Sequence, residues 1–243
     1  MTYTSYPEGS LWRSKADGSE RLQLTFPPMQ VGLPRWSPDR KQIAFGAKRP
    51  GGGERIYVVS GDGGTPQQAL ASDQNQGDPN WSPDGNSLVF WSSATFPVSG
   101  VPTVNILDLR THKASVVPGS KGLFSPHWSP DGRYIAALNA EHSNLVLYDF
   151  KLQKWAELTK IAADFPNWSR DGNHIFFHSF GSDTALLRVR VSNHNLERIA
   201  SLKGIRQTIS AIGTWCGLAP DDSPLVLRDV GTQEIYALDL QLP

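Results

Sequence analysis

The chain has 243 residues, with 23 Lys+Arg balanced by 23 Asp+Glu. That balance offers no net field to draw in nucleic acid or an anionic membrane, and no direct nucleic-acid partner is expected. The single cysteine, Cys216, excludes an internal disulfide framework and any cysteine-built metal site, and neither metal nor other cofactor is expected.

From the amino end, the segments Thr2-Tyr-Thr-Ser-Tyr6, Ser10-Leu-Trp-Arg13 and Arg21-Leu-Gln-Leu-Thr25 read as three strands of a blade that lacks its first strand. A motif then begins to repeat: Pro34-Arg-Trp-Ser-Pro-Asp39, Pro79-Asn-Trp-Ser-Pro-Asp-Gly85, Pro126-His-Trp-Ser-Pro-Asp-Gly132 and Pro166-Asn-Trp-Ser-Arg-Asp-Gly172. A fifth, degraded copy is Leu218-Ala-Pro-Asp-Asp-Ser-Pro-Leu-Val-Leu227, with Leu218 in the Trp place and Trp215 nearby as its substitute. After each copy come short apolar runs: 43–45 and 56–59, 88–90 and 104–109, 135–137 and 145–149, 175–177 and 186–189, 225–227 and 235–240. With the Pro-x-Trp segment as the inner strand, each repeat supplies four strands, the repeat length of propeller blades.

The predicted architecture is all-β: one propeller domain over 1–243, about six-bladed, of four-stranded blades. A partial blade occupies 1–28, blades lie near 29–75, 76–120, 121–160 and 161–205, and a last partial blade occupies 206–243. The missing strand at the front suggests a C-terminal portion of a longer protein whose upstream residues complete the first blade. The alternative is closure of the ring by Arg21 to Thr25.

In Ser-Pro-Asp-Gly, proline presets φ and glycine accepts the positive φ that follows, so the motif encodes a tight reversal. The preceding tryptophans, Trp36, Trp81, Trp128 and Trp168, are expected between blades, each worth ~2–3 kcal/mol if fully buried. Three departures stand out. Arg40 replaces the glycine of the first copy, Arg170 replaces the proline of the fourth, and the fifth has lost its Trp.

These repeats resemble those of TolB-type, WD-like propellers over nearly the whole chain. More narrowly, Leu11 to Pro28 and Asp229 to Asp239 resemble the terminal propeller of large bacterial proteins that carry a winged-helix or Ser/Thr kinase domain upstream. The resemblance implies a non-catalytic sensory or signalling module that binds a protein or peptide. In the TolB family the propeller works in the periplasm and binds its partner at the mouth of the central channel. Here Met1 to Leu11 show no basic stretch followed by an apolar core, so the chain as written is expected in the cytoplasm, and in the periplasm only within a longer exported or membrane-anchored parent. No apolar run approaches the ~20 residues of a membrane span.

Candidate binding residues are the variable ones on the inner strands, Arg35, Asp78, Asn80, His127 and Asn167, placed by the repeat at the channel mouth. The 96–102 insertion, apolar and Pro-rich, is a second candidate. Catalytic and metal sites are not expected: the histidines lack ligand spacing, His174 and His178 lie roughly 13 Å apart along one strand, and Gly51-Gly-Gly53 reads as a hairpin tip rather than a phosphate loop. Two alternatives remain, an enzyme working on a sugar or peptide at the channel mouth and a self-assembling scaffold. The sequence leaves the oligomeric state open.

Overall fold

A computed structural model of the protein describes residues 1–93, 100–141, 143–180, 183–208 and 213–231. All regular elements among them are strands. The first sheet holds β1 (Thr2–Thr4), β2 (Leu11–Arg13) and β3 (Leu22–Gln23), in that order. Four four-stranded antiparallel sheets follow. They are β4 (Gln30–Trp36) to β7 (Gln67–Gln68) through β5 (Gln42–Lys48) and β6 (Arg55–Ser60), and β8 (Asn75–Trp81) to β11 (Lys113–Val116) through β9 (Ser87–Ser93) and β10 (Thr103–Asp108). Next come β12 (Leu123–Trp128), β13 (Tyr134–Asn139), β14 (Leu145–Asp149) and β15 (Lys154–Thr159), then β16 (Ala163–Trp168), β17 (His174–Ser179), β18 (Ala185–Arg190) and β19 (Leu196–Ser201). A two-stranded sheet of β20 (Cys216–Leu218) and β21 (Pro224–Val226) ends the described chain.

Each Pro-x-Trp segment is an inner strand, as the repeat predicts. Because proline has no N–H and breaks the ladder, the register with the next strand slips at the same place in every full blade: between Gly32 and Arg35, Gly77 and Asn80, Phe124 and His127, and Asp164 and Asn167. The residue three before each Trp takes up the slip at positive φ: Leu33 (49°), Asp78 (48°), Ser125 (48°) and Phe165 (50°). Such a bulge re-aims the side chains around it.

The turn motif works as its residues dictate, with one addition. Gly85, Gly132 and Gly172 sit at φ 72°, 75° and 70°, a region that suits glycine, whereas Arg40 and Asp222 hold the same turn position at 60° and 65°. The serine also matters: Ser82 Oγ donates to Asp84 at 2.6 Å and accepts the Ser87 N–H at 2.9 Å. The same pair of bonds recurs at Ser37, Ser129 and Ser169.

The core lies between blades. Trp81 packs with Ala44 and Ile56 of the blade before and with Leu88 and Phe90 of its own, Trp128 is lodged with Val89, Val104 and Ile135, and Trp168 with Ala136, Leu138 and Phe177. The indoles of Trp81 and Trp168 each donate at 3.0 Å to the previous inner strand, at the carbonyls of Arg35 and His127. Trp36 packs against a cluster that includes Leu11 and Leu24, so β1–β3 sit against the first full blade.

The inner strands number five among the described residues, and so do the blades, rather than about six. Two contacts explain the smaller ring. Leu33 of the first full blade joins Phe165, Trp215 and Cys216 in one apolar cluster, and Arg40 shares a surface depression with Pro220 and Asp222. The fifth inner strand therefore already abuts the first. β1–β3 flank that seam without an inner strand of their own. Trp215, the expected substitute for the lost tryptophan, packs in the seam cluster. The predicted strand at 235–240 lies outside the described residues.

Candidate functional site at the channel mouth

The five residues expected at the mouth separate into two groups. Arg35, Asp78 and His127 converge although they come from three different inner strands. Arg35 Nη2 lies 3.5 Å from Asp78 Oδ1, and Ser125 Oγ donates to Asp78 Oδ2 at 2.6 Å. His127 Nε2 stands 3.7 Å from the same oxygen, within ion-pair reach but beyond a hydrogen bond. Asp78, Ser125 and His127 are buried, and the Arg35 side chain is 19% exposed.

Burial works against the Asp78 carboxylate, but His127, Arg35 and the Ser125 hydroxyl outweigh it and hold its pKa below the usual carboxylate value. Burial lowers the His127 pKa, an effect opposed by Asp78 and reinforced by Arg35. At neutral pH the cluster therefore contains a carboxylate, a guanidinium and a neutral imidazole. Because the serine hydroxyl is spent on the carboxylate and not on the imidazole, the cluster lacks the nucleophile-to-base contact of acyl-transfer chemistry.

Asn80 and Asn167 serve as ties between blades. Asn80 Oδ1 accepts the Trp128 backbone N–H at 2.9 Å. Asn167 Nδ2 donates to the Phe165 carbonyl at 2.6 Å and, more weakly, to that of Cys216 at 3.4 Å. Asn167 also borders the depression where the turns meet.

That depression, of about 460 Å³, is lined by Arg40, Pro130, Asn167, Trp168, Ser169, Arg170, Leu218, Ala219, Pro220 and Asp222. Two of the motif's departures fit together there. Arg170, standing where the other copies have proline, retains an N–H, and Asp222, standing where they have glycine, accepts it with both carboxylate oxygens at 3.0 and 3.1 Å. Each change supplies what the other needs.

The residue-level reading missed Ser125, although it occupies the same place before its Trp as Asp78, and it overlooked that Arg40 and Arg170 would border one depression. Aligning the copies as a closed ring reveals both. Cys216 is buried, and burial with the nearby Asp164 pushes its thiol up to about 12, so it is protonated at neutral pH. His178 is buried and 3.3 Å from Gln207 Oε1, whereas His174 is only half-buried. Among the described residues no group of three His, Cys, Asp or Glu side chains could hold a metal ion, and no helix is long and apolar enough to cross a membrane. Residues 94–99, most of the second candidate loop, lie outside the described residues.

No protein-family model matches the chain. Over 154 residues it is 29% identical to the "Uncharacterized peptidase YuxL" of Bacillus subtilis (strain 168), a match that takes in 62% of this chain and 22% of that protein. The chain thus aligns with less than a quarter of that relative's length. Among solved structures it is similar to TolB from Acinetobacter baumannii, with a TM-score of 0.72 and 19% identity over 91% of this chain and 60% of the other. It is also similar to a provisional TolB from Agrobacterium tumefaciens, with a TM-score of 0.68 and 21% identity over 80% and 74% of the two chains. A prolyl endopeptidase structure matches at a TM-score of 0.57 and 16% identity, over 81% of this chain but 33% of that one. In fold, the chain is a TolB-like β-propeller.

Proposed function

We propose that residues 1–243 form one binding domain that engages a protein or peptide at the channel mouth and has no catalytic role of its own. The observation that carries this reading is the depression at the junction of the turns, where residues from three full blades and the fifth blade present variable side chains on a repeated frame. The Arg35–Asp78–Ser125–His127 cluster supports it as a brace between inner strands of neighbouring blades. The TolB likeness supports the fold on which such binding would occur, and the peptidase relatives share only a fraction of their length with this chain.

The module would belong to a larger bacterial regulatory protein, cytoplasmic or exported according to that parent. The test is selection of a displayed random peptide library on the folded chain, followed by NMR mapping of the recovered peptides. Shifts centred on Arg40, Asn167, Arg170 and Asp222 are the expected result. Recovery of no binder, or binders that map only to the outer strands, would overturn the reading.

A further inference from the structure

Arg40 and Arg170 are both exposed and border the same depression, and neither guanidinium has an acidic partner among the described residues. The ionisable residues lining it are Arg40, Arg170 and Asp222. Two cations against one anion leave a net charge of +1, and both oxygens of that anion already accept the Arg170 N–H.

Arg40 also occupies a costly position. Its φ of 60° is one that the other full blades give to glycine, and a side chain there costs roughly 1 kcal/mol. A strained residue that presents a free guanidinium at a concave junction is a reason to look for a ligand. The surrounding frame adds apolar surface from Pro130, Trp168, Leu218 and Pro220, and polar groups from Asn167 and Ser169.

From this geometry we infer that the depression receives an acidic peptide segment, whose side-chain carboxylates pair with Arg40 and Arg170 while its backbone lies against the Trp168–Pro220 wall. This deepens, and rests on, the peptide-binding reading. Guanidinium forks match carboxylates in shape and charge. A basic segment would meet both arginines with like charge.

The probe is acetylated, amidated, fluorescein-labelled hexaglutamate, with hexaglutamine and hexalysine analogues, measured by fluorescence anisotropy on the whole chain. Hexaglutamate should bind, weaken as salt rises from ~0.02 to ~0.15 M, and shift the Nε–Hε resonances of Arg40 and Arg170. The pair Arg40→Gly and Arg170→Gln should weaken it at least about fivefold, whereas Arg190→Gln, on the third strand of the fourth full blade and outside the lining of the depression, should not. Arg40→Gly restores the residue of the other turns and Arg170→Gln keeps the N–H that Asp222 holds, so both variants should fold, as thermal melting would verify. Equal binding of hexalysine, unchanged affinity in the double variant, or shifts confined to other arginines would overturn the assignment. If hexaglutamate fails while library-selected peptides still map to the depression, the acidic assignment falls and the binding reading stands.

Discussion

The buried carboxylate of Asp78 offers the most direct test of how the blades are held together. Its partners come from neighbouring inner strands: Arg35 at 3.5 Å and Ser125 at 2.6 Å, with His127 at 3.7 Å. At an effective dielectric near 20, a unit charge pair at that first distance is worth about 5 kcal/mol gross. Desolvation consumes most of this, yet removing one member strands the other, which typically costs ~3–5 kcal/mol. Asp78→Asn is the cleaner change, because asparagine tolerates the positive φ of 48° and can still accept the Ser125 hydroxyl. We expect it to cost ~2–4 kcal/mol at pH 7, and Asp78→Ala ~1 kcal/mol more for the strain that alanine meets there.

The assay is urea unfolding of both variants and of Asp78→Asn combined with Arg35→Gln. Because the second change removes the stranded cation, the double variant should recover at least ~1 kcal/mol relative to additivity. The pH dependence has a definite sign. Asp78 has a lowered pKa, so its contribution is present above its unfolded value of 3.8 and is lost as pH falls through its folded pKa. His127 is also lowered, so its contribution is present above 6.5 and is lost as pH falls below it. His127 titrates in both proteins, so the gap between parent and Asp78→Asn should narrow only as pH falls through the folded pKa of Asp78. A loss under ~0.5 kcal/mol at pH 7, or strict additivity with Arg35→Gln, would refute the brace.

Two further predictions follow from the same seam-and-blade geometry. Arg170→Pro and Asp222→Gly should be coupled, the double variant being ~0.5–1 kcal/mol more stable than the sum of the singles predicts; additivity within ~0.3 kcal/mol in a urea double-mutant cycle would show the pair to be independent. The Glu54 carboxyl is raised by burial, with Lys48 opposing and Asp78 adding, from 4.5 to about 7. Its raised pKa costs the fold stability as pH climbs from 4.5 through 7. Glu54→Gln should thus stabilise the protein by ~1–2 kcal/mol at pH 8 and little at pH 4, and an unchanged difference between those pH values would contradict the raised carboxyl.

The frame was legible because its code is local. Proline interrupts a ladder, Asp-Gly reverses a chain, and tryptophan demands a large neighbour, so inner strands, turns and the interblade core follow from spacing alone. Blade number does not, because it depends on the angle accumulated between sheets, a sum that no single repeat specifies. The ring closes at five inner strands because Leu33 and Trp215 fill the seam. The site was legible only as a set of columns. Arg35, Asp78, Asn80, His127 and Asn167 all lie on inner strands as expected, but whether such a residue faces a partner, a neighbouring blade or the mouth depends on the chemistry of the next column. Asp78 draws in Arg35 and His127, whereas the two asparagines find peptide groups first.

That distinction bears on where recognition can reside in a repeat protein. A residue that follows the motif is committed to the frame: the serine and aspartate of each regular turn hold one another, and each glycine frees a backbone angle. A residue that departs from the motif either needs a compensating departure or is left with free valence. Arg170 and Asp222 show the first outcome, since the N–H regained by losing proline is capped by the carboxylate gained by losing glycine. Arg40 shows the second, for its backbone pays the cost of positive φ and no acidic side chain among the described residues answers its guanidinium. The Arg170 guanidinium, likewise unanswered, borders the same depression. Two unsatisfied cations placed by unrelated substitutions at one junction of the ring are not required by the fold, and a ligand that supplies the missing carboxylates gives both a physical reason to be there.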